Sequence, residues 1–540
     1  MERCLQIPEV LHSICEELNP PDALSMALTS RALLEPGLDS VWYEIKSFDP
    51  LISCLPDDLW HVKQVTSREP SSPNISTILF VQKTIRPEHL RRYLTFYAPR
   101  IRSFELHTRH CKKLLSMTSW QALQLATDHQ PGVLSPSIKE CTIYWVSFWM
   151  IRRMMGKYEV DIAPYMSLFF GSNVATFILS LEEVSENEDP LCAASVALMG
   201  KRFPHVRDLT FDIPRHRWSL EVAHDFFASS SWNYLQVLSL QHATPRVIRQ
   251  LATFPCLRSI HIYDTGGERH PDWDAPLPSH RTSGEAGFSA LCELDVTLDK
   301  ITDAIHFLRL MSPSNKLKNL QCCSYAEGCT SQECQSVIEV IRDHCNPLAL
   351  ESVVLLAPEG GYIEGIERID LAPEDFVDIS PLYGFSSLQS LDIHFEGSVQ
   401  FTQDHFPKIS RAWPNLRRLD LCTRFSNPDR MPSVNHHGLL QLLQACPSIN
   451  SLGLRIDTTQ LTPKEKAPVP ATFPLKYLYL GDSPICSPSL VIDFLRTHFP
   501  SLTSLDTHYI KHANEPQETL LDRRWKVVEE TWKELPGLRN

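Results

Sequence analysis

Apolar residues recur along most of the chain in the spacing Leu-x-x-Leu-x-Leu or a close apolar variant. The end of each copy alternates apolar and polar residues with period two, as a short strand with one buried face does. Segments with the helical spacing of apolar residues lie before several copies, for example at 331–345 and 436–446. The pattern therefore predicts a repeated unit of one strand and one helix, in which neighbouring units bury each other's apolar faces.

The copies return about every 30 residues, slightly more than the period of a standard leucine-rich repeat. They are read at Ile75/Ile78/Phe80, Ile101/Phe104/Leu106, Ile138/Cys141/Ile143, Val174/Phe177/Leu179, Val206/Leu209/Phe211, Leu235/Leu238/Leu240, Leu257/Ile260/Ile262, Leu291/Leu294/Val296, Leu317/Leu320/Cys322, Leu350/Val353/Leu355, Leu388/Leu391/Ile393, Leu416/Leu419/Leu421, Ile449/Leu452/Leu454, Leu475/Leu478/Leu480 and the truncated Leu502/Leu505. Residues 75–506 are thus predicted to form one array of repeats.

A proline stands two residues before the first apolar position of several copies. Its ring and its missing N–H end the preceding helix and favour an extended entry into the strand. These prolines are Pro99, Pro136, Pro204, Pro255, Pro414, Pro447 and Pro500. We therefore expect an α/β fold, an irregular leucine-rich-repeat solenoid or horseshoe with parallel concave strands and outer helices.

Two other interpretations of this pattern stay open. Leu-x-x-Leu-x-Leu strings occur by chance in any leucine-rich protein, and an ordinary α/β protein with a parallel sheet also alternates strands and helices. Polar, Gly- and Pro-rich stretches at 264–287, 357–380 and 456–473 are predicted loops of the array.

Bulk composition limits the classes of function. Hydrophobic residues make up 43% of the chain and charged residues 21%, as in ordinary folded proteins. The formal net charge of -13 and the absence of a Lys/Arg block make nucleic acid a poor candidate partner. No apolar stretch of about 18 residues suggests a membrane span, and the N-terminus lacks a signal peptide's apolar run. We expect a soluble protein of the cytoplasm, the nucleus or both, with its 16 cysteines reduced.

The first forty-odd residues have a pattern of their own. Ile7, Leu11, Ile14 and Leu18 recur at helical spacing, and Pro8 suits a first helical turn. After a break at 19–21, Asp22 is predicted to cap a second helix, and a third is predicted at about 35–45. Three such short helices bury little apolar surface alone, so we expect an apolar face that remains open to a partner.

This segment resembles an F-box. The resemblance rests on the opening Ile7-Pro8-Glu9-Val10-Leu11, the Leu18-Asn19-Pro20 break, the Leu28-Thr29-Ser30-Arg31 segment and the closing Val41-Trp42. One departure is that Ala32-Leu33-Leu34 follows the Ser-Arg pair, where many F-boxes carry an aromatic residue. Together with CLPDDLW at 54–60 and ISPLYGFSSLQSLDI at 379–393, the chain is similar to the F-box and leucine-rich-repeat proteins that are numerous in mushroom-forming fungi.

The resemblance implies a function. An F-box docks a Skp-type adaptor and through it a cullin-RING ubiquitin ligase, while the repeats capture an unknown protein substrate. The chain would act as one copy within that complex. By their match to the motif, the adaptor-binding residues would be Ile7, Pro8, Leu11, Ile14, Leu24 and Leu28. The implied domains are an F-box at 1–46, a linker at 47–74, the solenoid at 75–506 and a C-terminal capping segment at 507–540.

A search for catalytic or metal-binding motifs predicts none. The sequence contains no GxSxG, HExxH, GxxxxGKS or GxGxxG motif. Five cysteines fall between 322 and 345 without a C-x-x-C pair, so they are interpreted as core residues rather than zinc ligands. We expect no catalytic residue, no cofactor and no metal. A hydrolase site hidden in 264–287 or 357–380 is a further, different hypothesis.

Polar residues between the apolar strand positions define a candidate substrate surface. One predicted row contains Glu105, Thr142, Thr210, Ser239, His261, Asp295, Gln321, Asp392, Asp420 and Tyr479. Because Tyr and Arg supply much of the binding energy at protein interfaces, late-array residues are the candidate substrate contacts. These are Asp392, Arg418, Asp420, Tyr477 and Tyr479. The alternative to a ligase receptor is a free-standing repeat scaffold or inhibitor whose N-terminal helices only cap the array.

Overall fold

A computed structural model describes most of the chain. The described residues are 7–66, 75–106, 113–144, 163–181, 196, 199–213, 217–230, 232–264, 271–273, 287–324, 329–357, 376–395, 398–422, 431–462, 471–481, 483–507 and 520–534. Most of 264–287 and 357–380, where the hydrolase hypothesis falls, lies outside them. The chain divides into two compact units, Met1–His242 and Ala243–Asn540.

The first unit begins with helices and continues as strands that alternate with helices and turns. Its helices are α1 (Pro8–Glu16), α2 (Pro20–Ala27), α3 (Arg31–Val41), α4 (Asp49–Ser53), α5 (Pro87–Arg92), α6 (Met117–Ala126) and α7 (Arg217–Ala228). Its strands are β1 (Glu44–Ile45), β2 (Trp60–Thr66), β3 (Ile75–Val81), β4 (Ser103–Leu106), β5 (Lys113–Leu115), β6 (Glu140–Tyr144), β7 (Thr176–Ser180), β8 (Asp208–Asp212) and β9 (Val237–Leu240). Short turns of 3-10 or π-helix cover Asp57–Leu59, Tyr93–Tyr97, Ala98–Arg100 and Ala163–Leu168.

The main sheet of this unit is parallel. Its strands pair in the order β1-β4-β6-β7-β8-β9, so from β4 onward each strand is one predicted repeat. The apolar strand positions point into a core that the helices cover. For example, Phe211 of β8 packs against Phe226 and Phe227 of α7, with ring centroids 4.8 and 5.9 Å away.

The repeat predicted at Ile75/Ile78/Phe80 is wrong. Its strand, β3, belongs to a separate three-stranded sheet, in which it pairs antiparallel with β2 and parallel with β5. The sequence shows only that one face of the strand is buried, and any half-buried strand produces that alternation. The first strand of the main sheet is instead β1, which has two residues and no repeat signature.

The three N-terminal helices pack on each other through small residues. Gly37 of α3 lies against α2, where an added Cβ would come within 2.7 Å of the Cβ of Ala27 and 2.8 Å of the carbonyl oxygen of Ala23. The second helix begins at Pro20, because Asn19 caps it: the Asn19 side chain accepts a hydrogen bond from the N–H of Asp22 at 3.0 Å. The sequence placed the cap at Asp22 instead.

We expect Gly37→Val to destabilise this helical packing by about 1 to 3 kcal/mol, because the two backbones approach too closely for a larger side chain. Thermal unfolding followed by circular dichroism of the full chain measures the change. Ser40, like Gly37, lies on α3, and Ser40→Ala is the milder comparison because it removes one hydrogen bond, from the Ser40 hydroxyl to the carbonyl of Cys15 on α1. Equal melting temperatures for Gly37→Val and the wild-type chain would contradict the packing described.

Hydrogen bonds and ion pairs join the N-terminal helices to the first strands of the main sheet. The chain runs from α3 directly into β1, and the carbonyl of Tyr43 accepts hydrogen bonds from the N–H groups of Arg102 and Ser103, both at 2.9 Å. The side chain of Arg100 forms ion pairs with Glu35, at 2.5 Å, and with Asp39. These contacts hold the N-terminal helices against the first strands of the sheet.

The predicted linker at 47–74 is folded over its described part, and Phe48 shows why. Its side chain is buried, and its ring centroid lies 4.8 Å from that of Trp120, 5.7 Å from Phe169 and 6.4 Å from Phe104. The segment therefore supplies part of the core beneath the first repeats, which composition alone does not reveal.

In the described part of the second unit, most strands are followed by a helix or a short 3-10 turn. Its helices are α8 (Pro245–Leu251), α9 (Ile305–Leu308), α10 (Ser331–His344), α11 (Phe406–Ala412), α12 (His436–Ala445), α13 (Pro488–His498) and α14 (Leu520–Lys533). Its strands are β10 (Ser259–Tyr263), β11 (Glu293–Leu298), β12 (Asn319–Ser324), β13 (Ser352–Leu356), β14 (Phe376–Val377), β15 (Ser390–His394), β16 (Ser398–Val399), β17 (Arg418–Asp420), β18 (Ser451–Gly453), β19 (Tyr477–Tyr479) and β20 (Ser504–Asp506). Short 3-10 turns cover Pro271–Trp273, Ile301–Ala304, Ser380–Gly384 and Gln403–His405.

The large sheet of the second unit is also parallel and in sequence order. Strands pair as β10-β11-β12-β13-β15-β17-β18-β19-β20, while β14 and β16 form a separate pair. Leu320, Val353, Leu391 and Leu419 lie side by side in one register and are fully buried. The predicted helices before Leu317, Leu350, Ile449 and Leu502 are confirmed as the turn at Ile301–Ala304 with α9, and as α10, α12 and α13.

The C-terminal helix packs against the last repeat. Trp525, Val528 and Trp532 of α14 are buried, as the amphipathic pattern predicts, whereas Leu520 at its start is exposed. The indole N–H of Trp525 donates to the carbonyl of Ser483 at 2.7 Å. Among the described residues, none of the helices combines the length and apolar character needed to span a bilayer.

Candidate functional site

The face of the second unit's sheet opposite its core carries polar residues in register. The predicted residues share a register there, but two others interrupt their row. His261, Asp295 and Gln321 are neighbours on successive strands, Val354 separates Gln321 from Asp392, Asp392 lies beside Asp420, and Gly453 lies between Asp420 and Tyr479. In the first unit Glu105 and Thr142 pair in the same way, as do Thr210 and Ser239. Each row follows from the period of two along parallel strands in one register.

Four charged residues on β15 and β17 form what we call the charged cluster: Asp392, His394, Arg418 and Asp420. Nε2 of His394 lies 2.6 Å from Oδ1 of Asp392 and 3.4 Å from Oδ1 of Asp420. Nη2 of Arg418 donates to Oδ2 of Asp392 at 2.6 Å and lies 3.8 Å from Oδ2 of Asp420. Two carboxylates that repel each other across neighbouring strands are thus bridged by two cations.

Burial and neighbouring charges shift the pKa values of His394 and Asp392 in opposite directions. Burial alone lowers the pKa of an imidazole, but the close contacts with Asp392 and Asp420 outweigh it and raise the pKa of His394 to about 9. Burial likewise acts to raise the pKa of Asp392, yet the contacts with His394 and Arg418 hold it below its ordinary value. At neutral pH the cluster is therefore a compensated set of ions.

A glycine on the next strand makes room for the second carboxylate. Gly453 lies directly beside Asp420, and a Cβ built on it would overlap the carboxylate of Asp420. The N–H of Cys422 donates to Oδ1 of Asp420 at 3.3 Å. Backbone groups on two sides therefore restrict the Asp420 carboxylate, in addition to its contacts with the side chains of His394 and Arg418.

The predicted substrate contacts divide into two groups. Asp392, Arg418 and Asp420 come together in the charged cluster, and the ring of Tyr479 lies 6.4 Å from that of His394. Tyr477, in contrast, is an exposed side chain that lies between Ser451 and Ser504 in register. The sequence pattern places His394 in a flanking row and not among the candidate contacts, although its position two residues after Asp392 on the same strand was a signal that the two share a face.

A second polar cluster, which we call the serine-histidine cluster, lies on β10 and β11. It comprises Ser259, His261, Glu293 and Asp295. Oγ of Ser259 lies 2.8 Å from Nε2 of His261, and Nδ1 of His261 lies 3.7 Å from Oδ2 of Asp295. This order of groups resembles the serine, histidine and aspartate of a hydrolase, which the motif search could not find because the residues lie on two repeats.

The hydrogen bonds of this cluster differ from those of a nucleophilic serine. The Ser259 hydroxyl donates to Oε2 of Glu293 at 3.1 Å, so its proton is directed to Glu293 and not to His261. In a serine hydrolase the hydroxyl donates to the histidine instead. The serine-histidine cluster is therefore explained by polar packing of the sheet face.

The predicted adaptor-binding residues are mostly on the surface of the N-terminal helices. The exposed side chains are Ile7 at 46%, Ile14 at 36%, Leu24 at 43% and Leu28 at 76%. Leu11 is instead buried within the helical packing, and the side chain of Pro8 lies outside the described part of the chain. The role of all six in adaptor binding stays a prediction.

No known family model matches the chain, and no curated protein matches it. One solved structure with a similar chain is the crystal structure of the Rad7 and Elc1 complex from yeast. It is 14% identical, covers 67% of this chain and 84% of its own, and has a TM-score of 0.33, which is too low to support an inference.

The charged cluster offers the clearest chemistry on the described surface. Asp392, His394 and Asp420 each present one donor atom of the kind that binds metal ions, and the three atoms lie within 4.8 Å of one another. Carboxylate oxygen and imidazole nitrogen together suit divalent transition metals. The sequence predicted no metal site, because these donors come from two repeats and form no local motif.

Proposed function

We propose that this protein is the substrate-recognition subunit of a cullin-RING ubiquitin ligase in the cytoplasm or nucleus. Its N-terminal helices would dock a Skp-type adaptor, and its repeat sheets would bind a target protein. In this function the chain has no active site of its own, since it brings two other proteins together.

The observation that carries the proposal is the exposed apolar surface of the N-terminal helices. Leu11, Cys15, Ala23 and Ala27 fill the small core between these helices. Ile7, Ile14, Leu24 and Leu28 point away from it and remain exposed. A unit this small that exposes four large apolar side chains gains stability when a partner covers them.

The attachment of these helices also suits a receptor. The strand pair β1 and β4 and the ion pairs of Arg100 hold them rigidly against the first repeats. The ring of Trp42, just after α3, lies 4.3 Å from that of Tyr97. An adaptor bound to the helices would therefore have a fixed position relative to the first unit's sheet.

The proposal predicts stoichiometric binding of a purified Skp-type adaptor by the full chain. We expect Leu24→Glu and Leu28→Glu each to weaken this binding at least roughly 30-fold, as for a hot-spot side chain at the centre of an interface. Isothermal titration calorimetry measures it. The matched control is Leu125→Glu, which changes a 70% exposed leucine on α6 and should leave the affinity unchanged.

The burial of Leu11 changes the choice of variants. Charge reversal at Leu11 would disrupt the helical core, so lost binding there would not identify a contact residue. Leu24 and Leu28 avoid this ambiguity because their side chains already face solvent.

The alternative is a free-standing repeat scaffold or inhibitor whose N-terminal helices cap the array. The contacts of Arg100 and Trp42 favour it, since a cap needs such packing. Under this alternative the wild-type chain would not bind the adaptor at all, and the leucine variants would differ from it only in solubility.

A further inference from the structure

Within the described part of the chain, the strongest unexplained feature is a carboxylate oxygen of the charged cluster that has no aligned hydrogen bond. The Asp392 side chain is only 9% exposed, and its Oδ1 atom has no hydrogen bond to any described residue. Nε2 of His394 lies 2.6 Å away from this oxygen, but the two atoms are not aligned as a hydrogen bond. The contact with His394 balances the charge of this oxygen but leaves it without an aligned hydrogen bond, and a ligand bound directly to it would use that free bonding capacity.

The donor atoms of the charged cluster lie close together. Arg418 occupies Oδ2 of Asp392, which leaves Oδ1 to face His394. Nε2 of His394 and Oδ1 of Asp420 are 3.4 Å apart, which is about the edge of a tetrahedron with bonds of about 2.1 Å to zinc. The donors therefore have nearly the separation that a metal site needs.

The site is also rigid. Asp392 and His394 lie on β15 and Asp420 on β17, two paired strands within the parallel sheet. Gly453 and the N–H of Cys422 fix the position of the Asp420 carboxylate. Neighbouring groups that orient the ligands in this way raise metal affinity.

We propose that Asp392, His394 and Asp420 bind one zinc ion per chain, with water in the remaining position. Zinc fits this mixed set of one nitrogen and two oxygen donors, whereas calcium and magnesium need more oxygen ligands. The ion takes the place of the proton on Nε2 of His394, which is released to solvent, and the Asp392 contact lengthens by about 0.8 Å to admit bonds of that length. The carboxylates carry the opposing charge, and Arg418 stays on Oδ2 of Asp392.

The test uses the full chain, stripped with EDTA, dialysed against zinc chloride and analysed by inductively coupled plasma mass spectrometry. We expect about one zinc per chain in the wild type. His394→Ala and Asp420→Asn should weaken binding at least roughly tenfold. The matched control is His261→Ala, which removes a histidine beside a carboxylate in the serine-histidine cluster and should keep the zinc.

Cobalt substitution of the wild-type chain tests the ligands without any variant, so the result does not depend on whether a variant folds. Cobalt bound by Asp392, His394 and Asp420 shows visible bands without a thiolate-to-metal charge-transfer band, whereas cobalt held by the cysteines shows that band. Zinc far below one per chain, a thiolate band in the wild type, or equal loss of zinc in His261→Ala would each overturn the proposal. None of these measurements involves the adaptor, so they are independent of the proposed ligase function.

Discussion

Replacing Phe48 by alanine is expected to lower the free energy of unfolding of the first unit by about 3 to 5 kcal/mol. The Phe48 ring is buried against three aromatic rings, those of Phe104, Trp120 and Phe169. Truncation removes the transfer free energy of the ring and leaves a cavity that these neighbours cannot fill completely. The effect should be large although Phe48 precedes every predicted repeat.

Native-state hydrogen exchange of the amides in β4 and β6 measures this change within the first unit. Phe96→Ala is the matched control, because Phe96 is 60% exposed in the same unit and its loss should cost no more than about 0.5 kcal/mol. Equal protection factors in the two variants would mean that 47–66 is a linker after all and contributes little to the core.

Phe48 also marks what the sequence could not predict. The repeat signature reports apolar residues at fixed spacing, but Phe48 reaches the core from the position just before a five-residue helix, α4, and β1 has only two residues. Neither element is long enough to show a period. The prediction for β3 was wrong for a different reason. Its alternation of apolar and polar residues does mark a strand, but the sequence could not show which sheet that strand joins.

The repeats themselves were predictable because their geometry is local. A proline or short turn fixes where each strand begins, and one register along parallel strands then fixes which residues share a face. That is why Asp392 and Asp420 were placed in one row and lie side by side. The row did not show that Gly453 would make room for Asp420, because side-chain packing between repeats is a tertiary property.

The N-terminal helices illustrate a related limit. The match to the F-box motif gave Leu11, Leu24 and Leu28 the same expected role, that of adaptor contacts. With three short helices, the spacing cannot decide which apolar side faces the core and which faces a partner. The structure separates them, since Leu11 is buried and the other two are exposed.

The charged cluster connects stability with the proposed metal site. Two aspartates opposite each other on neighbouring strands destabilise a sheet unless cations lie between them. Without metal, His394 and Arg418 supply this positive charge. Under the proposal, zinc would replace the proton of His394, and the zinc ion and Arg418 would then compensate the two carboxylates. Anything that displaces Asp420 should therefore affect the sheet and the site together.

Gly453→Ala is expected to destabilise the second unit by about 1 to 3 kcal/mol, because the new Cβ overlaps the carboxylate of Asp420 and must push it out of the cluster. His394 then loses one of its two acidic partners, and the proposed zinc site loses a ligand. Hydrogen exchange of β17 and β18 measures the first effect, and zinc content measures the second. The matched control is Gly384→Ala, since no described atom lies within 4 Å of a Cβ added there. If Gly453→Ala matched that control in stability and bound zinc as the wild type does, Asp420 could not be held where the structure places it.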